Sequence, residues 1–148
     1  MKTLHVGLRV AELDRSIRFY TSLGYQVVGT VPETEIGALT MLKLPGDVVV
    51  SLELVHQPGT EPIEPRGLSH LVVQVQDLHD TVDRLAARGI QTDRPSSPDG
   101  SSDFWTTMLI DPDGYRIELV QWPAGHADGL TAADFRPGSL GGTPDQGE

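Results

Sequence analysis

The chain has no cysteine, which excludes disulfides, thiolate metal ligands and a cysteine nucleophile whatever the compartment. Any bound metal must be held by His, Asp or Glu. Basic residues are also scarce, with 11 Lys and Arg against 21 Asp and Glu and a formal net charge of −10 over 148 residues. No Lys/Arg cluster interrupts that deficit, so nucleic acid is not expected as a partner. The acidic surface reads as solubility. Long apolar runs are missing as well, none approaching the roughly 20 residues needed to span a bilayer. The opening MKTLHVGLRV runs directly into strand-like alternation instead of a basic region and a cleavable apolar stretch. A cytoplasmic protein with no membrane partner is expected.

What is present is ordinary in amount, 38% apolar and 22% charged residues, as in globular domains. The arrangement is more informative. Residues 5–25, HVGLRVAELDRSIRFYTSLGY, align without a gap on residues 70–90, HLVVQVQDLHDTVDRLAARGI. His5 falls on His70, Val10 on Val75, Leu13 on Leu78, Ile17 on Val82 and Gly24 on Gly89, an offset of 65. The same offset carries Glu53 onto Glu118 and LELV (52–55) onto IELV (117–120). The halves repeat one design.

Each half opens with alternation, His5, Gly7 and Arg9 on one strand face and Val6, Leu8 and Val10 on the other. The period then lengthens. Leu13, Ile17 and Tyr20 form one helical stripe, and Leu78, Val82, Leu85 and Ala86 another. Gly24 and Gly89 close these helices. Strands are expected at 25–31, 39–44 and 48–55, answered by 90–92, 105–110 and 115–121. The fold class is therefore α+β, two tandem βαβββ modules forming a cupped mixed sheet. One domain over 1–122 is expected, with module 1 at 1–56, module 2 at 68–122 and a Pro- and Gly-bearing linker at 57–67. Residues 123–148 read as a tail with a short helix near 131–135, its end disordered.

Alternate residues of a half-buried strand share a face, so a His at the start of the first strand and a Glu in the last can both project from one side of a module. Two modules supply His5, Glu53, His70 and Glu118. If the modules pair about a pseudo-twofold axis, these four converge on one divalent ion, Ni2+ or Zn2+ foremost, with Co2+, Mn2+ and Fe2+ also compatible with imidazole and carboxylate ligands. Phe104, Trp105, Met108 and Trp122 are weighed as a pocket lining and read as core. The acidic turn Asp111–Pro112–Asp113–Gly114 is read as the hairpin turn that sets the register of the Glu118 strand. No role is assigned to His56, His79 or His126.

The segments LHVGLRVAELDRSIRFYTSLGY, SLELV, GLSHLVVQV and IDPDGYRIELVQ resemble the vicinal oxygen chelate superfamily (glyoxalase, bleomycin resistance, extradiol dioxygenase). Within it the chain is most similar to short bacterial glyoxalase I, or lactoylglutathione lyase. The resemblance implies that His5, Glu53, His70 and Glu118 are metal ligands, with Glu118 at the position of the catalytic base and Glu53 the steadier carboxylate. It also implies a substrate-binding role for Arg9, matched to a residue that grips a glutathione carboxylate, and for Gln57, which stands where the family has an Asn. The implied reaction is metal-dependent isomerisation of a thiol hemithioacetal of an α-oxoaldehyde through an enediolate, with glutathione as the thiol. Here SSPDGSSDF (96–104) replaces the family's Lys-Gly-Gly thiol loop, which leaves room for another thiol. Family members of this length pair modules between chains, so a homodimer with sites at the subunit interface is expected. The alternatives are a small-molecule (antibiotic) binding or resistance protein of the same fold, and an extradiol-type dioxygenase.

Overall fold

The computed structural model describes residues 1–59 and 62–136; the expected disordered end, 137–148, lies outside them. The described residues form two compact units, those of 1–70 with 110–116, and those of 71–109 with 117–136.

In the first unit the elements run β1 (Val6–Arg9), α1 (Leu13–Leu23), β2 (Gln26–Val31), β3 (Ala38–Lys43) and β4 (Leu52–His56). They make one four-stranded sheet in the order β1-β4-β3-β2. β1 lies parallel to β4, with Val6 opposite Leu52 and Gly7 opposite Glu53, whereas β3 is antiparallel to both β4 and β2. Leu8, Val10, Leu52, Leu54, Leu42 and Tyr20 form its buried core, each contributing roughly 1.5–3 kcal/mol by leaving water. The strand expected from Val48 begins only at Leu52. Asp47 turns its carboxylate back onto the Leu44 N–H (2.9 Å) and the Ser51 hydroxyl (2.5 Å), closing a loop that leaves Val48 outside the ladder and 94% exposed.

The second unit contains β5 (Leu71–Gln74), α2 (Leu78–Ala86), and most of β6 (Trp105–Ile110) and β7 (Arg116–Gln121), in a three-stranded sheet ordered β5-β7-β6. β5 is parallel to β7 with Leu71 opposite Ile117 and Val72 opposite Glu118. Each of these pairs is the corresponding β1–β4 pair displaced by 65 residues, so the repeat extends to strand register. It does not extend to a fourth strand. The strand expected at 90–92 is reduced to isolated bridges, Thr92 with Leu109 and Ser96 with Thr106, because Pro95 and Pro98 bring no N–H to a ladder. The second module is thus βαββ.

The helices repeat in detail as well. Ser16 and Thr81, equivalent under the offset, are both buried, as are Tyr20 and Leu85. Ala86, expected on the apolar stripe, is exposed, since the buried face of α2 runs through Leu78, Thr81 and Leu85. Beyond each helix the chain reverses through a glycine, φ 121° at Gly24 and 78° at Gly89, a region glycine enters without a Cβ penalty. The same bond follows in both halves, from Tyr25 N–H to the Tyr20 carbonyl (2.9 Å) and from Ile90 N–H to the Leu85 carbonyl (3.0 Å).

The helix starts differ. Asp77 caps α2, its carboxylate accepting from the Asp80 N–H at 2.8 Å. Its counterpart Glu12 makes no such bond. Asp113, 102 residues beyond Ala11, accepts instead from the Ala11 N–H, the Arg15 guanidinium and the Ser16 hydroxyl at 3.1–3.3 Å, a carboxylate placed at the positive end of a helix. Beside it, Asp111 accepts from the Tyr20 hydroxyl (2.8 Å) and from the N–H groups of Asp113 and Tyr115. Burial nevertheless holds the Asp111 carboxyl above its ordinary range.

After β7, residues 122–135 fold back within the second unit. The ring of Trp122 stacks with those of Phe104 (5.5 Å) and His126 (4.5 Å). The short helix expected near 131–135 is a 3-10 turn at Ala132–Phe135, capped by Thr131. His126 presents Nδ1 to the Ala127 carbonyl at 2.6 Å and Nε2 to Asp134 Oδ1 at 2.8 Å. Both partners accept, so both ring nitrogens donate only in the imidazolium form. The Ala127 carbonyl and then Asp134 raise the His126 pKa above 6.5. The Thr131 backbone N–H, followed by the Thr131 hydroxyl and His126, lowers that of Asp134 below 3.8. The contribution of His126 is therefore complete below pH 6.5 and lost as pH rises through its raised folded value, and that of Asp134 is lost as pH falls through its lowered one. Amide protection factors at 131–135, corrected for the intrinsic rate, are expected to fall above the His126 midpoint in the parent, and to be low and insensitive to that titration in His126→Gln; equal protection factors at pH 6 and pH 9 in the parent would refute the contribution of the His126–Asp134 pair.

Candidate metal centre

β1 and β4 position the first of the two His-Glu pairs expected as ligands. His5 immediately precedes β1, and Glu53 is the second residue of β4, opposite Gly7. Because Gly7 has no side chain, the carboxylate of Glu53 lies over it, Oε1 being 3.4 Å from the point a Cβ would occupy. His5 Nε2 then stands 3.4 Å from Glu53 Oε2. That is longer than a charge-assisted hydrogen bond, about 2.7–2.9 Å. With metal bonds of about 2.0–2.2 Å, two neighbouring ligands of a tetrahedral or octahedral set stand about 2.8–3.6 Å apart. The pair fits a shared divalent ion in both donor chemistry and spacing. Glu53 is 8% exposed, a buried carboxylate.

The second pair repeats the register. His70 immediately precedes β5 and Glu118 lies opposite Val72 on β7. The Nδ1 of His70 is 3.0 Å from the Ser69 hydroxyl, a contact that can orient the ring. Glu118 is half-buried. Among the described residues the structure assembles no group of three or more His, Asp or Glu arranged to hold a metal.

Arg9 ends β1 on the face of His5 and Gly7, exposed, while its carbonyl accepts from the Tyr115 hydroxyl at 3.0 Å. Gln57, exposed, follows β4 by one residue. Of the aromatic residues, Trp105 donates to the Ser102 carbonyl and meets the ring of His79 edge-on at 4.7 Å, and Phe104 and Trp122 belong to the stack with His126. The acidic turn serves as the hairpin turn and as the cap of α1. The role missed from sequence is that of His126. A His eight residues before an Asp within a short helical turn is a weak signal, and its stacking on Trp122 was not visible in the spacing.

A family model described as Glyoxalase/Bleomycin resistance protein/Dioxygenase superfamily matches residues 2–119. The lactoylglutathione lyase of Haemophilus influenzae is 30% identical, over 82% of this chain and 93% of its own. A probable lactoylglutathione lyase of Vibrio cholerae is 34% identical, over 85% and 94%. Among solved structures, the trypanothione-dependent glyoxalase I of Leishmania major superposes with a TM-score of 0.68 at 31% identity, covering 82% of this chain and 86% of that one. An antibiotic-binding protein from Streptomyces sp. CB03234 shares the fold at a TM-score of 0.64 and 22% identity, over 82% and 96%.

Proposed function

Because the chain belongs to the Glyoxalase/Bleomycin resistance protein/Dioxygenase superfamily, we propose that it is a metal-dependent isomerase of the lactoylglutathione lyase type. Its substrate in this reading is the hemithioacetal of a thiol and an α-oxoaldehyde. The observation that carries the reading is the doubled His-Glu register, Gly7 opposite Glu53 after His5 and Val72 opposite Glu118 after His70, with the first pair at ligand spacing. Relatives at 30–34% identity named for that activity support it.

His5, Glu53, His70 and Glu118 would hold one divalent ion, Ni2+ or Zn2+ foremost, in a site completed by two copies of the chain. When bound, the ion supplies a Lewis acid for the oxyanion that develops on the substrate. Glu118 takes the proton from the carbon bearing the sulfur and returns it to the neighbouring carbon, while the hydroxyl proton of the first carbon passes to the former carbonyl oxygen, so that the hemithioacetal becomes a thioester with no net change in atoms or electrons. Arg9, an exposed cation on the His5 face, binds a carboxylate of the thiol, and Gln57 contacts its amides. Glu53, held beside His5 over Gly7, remains a ligand. In place of the family's Lys-Gly-Gly loop, Ser97 and Ser101 wrap the Asp99 carboxylate. These bonds hold its pKa below the ordinary value, so the loop meets the thiol with a negative charge.

Elemental analysis of the purified protein, followed by assay against a panel of thiols with methylglyoxal and other α-oxoaldehydes, tests the reading. About one divalent ion per chain and thioester formation are expected. Tight small-molecule binding without metal or turnover would replace the isomerase with a sequestering protein, and oxygen-sensitive iron with ring cleavage would replace it with a dioxygenase.

A further inference from the structure

The offset of 65 does not stop at the glutamates. It carries Gln57–Pro58 onto Trp122–Pro123, so the two modules leave their last strands by the same step with unlike side chains. Along β7 the faces alternate. Ile117 and Leu119 are fully buried, and Gln121 turns to the helix side, its Oε1 accepting from the Leu78 N–H at the start of α2 (2.8 Å). Glu118 and Val120 take the other face. Trp122 continues their row, because the residue before a proline is kept extended. Its ring, half-buried, stacks with those of Phe104 and His126, and His126 is held by Asp134. The segment that follows returns to the same face. Asp128 accepts from Gln74 Nε2 at 2.9 Å, and Gln74, opposite Val120 on β5, projects on the side of Glu118. An aromatic stack thus ends the row in which the candidate ligand Glu118 stands, about 13 Å further along the strand.

We propose that Trp122 is a specificity-determining residue that contacts the distal end of the thiol and selects one ending in an apolar or aromatic group. This rests on the isomerase reading above, in which the reacting carbons sit at the metal. The methyl group of methylglyoxal begins one bond, about 1.5 Å, from those carbons, and falls far short of a ring about 13 Å along the strand. The distal end of a peptide-sized thiol reaches it. Where module 1 offers an amide at Gln57, module 2 offers a ring. Carboxylates flank that ring, Asp128 on Gln74 and Asp103, whose Oδ2 accepts from the Ala124 N–H at 3.2 Å. They disfavour a terminal carboxylate there, which leaves a single thiol carboxylate for Arg9.

The test compares methylglyoxal adducts of glutathione, of glutathione with its glycine carboxyl converted to a benzylamide, and of 2-mercaptoethanol. The proteins are the parent, Trp122→Ala, Trp122→Phe and Trp122→Gln, the last supplying the module 1 residue. In the parent, KM for the benzylamide adduct is expected to lie about tenfold below that for the glutathione adduct, the scale of one aromatic contact. Trp122→Ala and Trp122→Gln should abolish that advantage while kcat, metal content and KM for the mercaptoethanol adduct stay unchanged, and Trp122→Phe should keep most of it. The chain holds two tryptophans, so Trp105→Phe leaves Trp122 as the only indole. Its fluorescence should become shielded from acrylamide when the S-methylated benzylamide binds. No preference for the benzylamide in the parent, equal KM changes for all three thiols in the variants, or unchanged quenching with the S-methylated benzylamide bound would overturn the inference. Absence of metal and of turnover with every thiol would sink the isomerase reading instead, and the quenching measurement would still decide whether Trp122 touches the thiol.

Discussion

Glu118→Gln is expected to lower kcat by about 100-fold or more while retaining most of the bound metal. The two effects separate because glutamine keeps the size and the ligating oxygen of the side chain but cannot accept a proton near neutral pH. With His5, Glu53 and His70 still in place, three ligands of the proposed set are untouched. Affinity for hydroxamates that mimic the enediolate should fall little, since these ligands need no proton transfer. KM should therefore change much less than kcat, the pattern expected when a group acts in the transition state and not in the ground state. Metal content and hydroxamate inhibition, measured beside turnover, check each half of the statement. Turnover near the parent rate with metal bound would transfer the base to Glu53.

Removal of a histidine should act on the metal itself. His5→Ala and His70→Ala are each expected to lose most of the bound ion, because each deletes one of two imidazoles from a site with no thiolate to substitute for it. If module 1 of one chain completes its site with module 2 of another, mixing and refolding the two variants restores metal selectively. In a mixed dimer both lesions fall in one site and the other is intact. Random pairing makes half the dimers mixed, so roughly a quarter of the parental metal should return. No recovery on mixing, with each variant alone folded and metal-poor, would assign both pairs of ligands to a single chain. Retention of full stoichiometry and affinity by His70→Ala would remove it from the ligand set altogether.

Much of the fold is legible in the chain. The offset of 65 anticipates the β1–β4 and β5–β7 registers residue for residue, because strand register follows from which side chains must share a buried face. The alternation through Leu8 and Val10 and the glycines after both helices stand where the pattern puts them, since period and positive φ are local properties. Less legible were places where a side chain redirects the backbone. Asp47 delays β4 to Leu52, and the prolines at 95 and 98 leave the second module short of a strand. Sequence distance hid more. The acidic turn does set a hairpin, yet no pattern shows that Asp113 caps a helix 102 residues away, or that His126, assigned no role, joins Trp122 and Asp134.

By itself the sequence determined the duplicated module, the strands that His5 and His70 precede and those that carry Glu53 and Glu118, and the equivalence of the two pairs, because hydrophobic period and repeat spacing act over a few residues at a time. Only the tertiary structure decided how like residues become unlike. Glu12 leaves its helix start to Asp113 while Asp77 caps its own. Glu53 lies over Gly7 beside His5, and the register that pairs it with Gly7 pairs Glu118 with Val72. Capping and carboxylate placement depend on which groups the folded backbone brings within about 3 Å, and a one-dimensional pattern has no term for that distance.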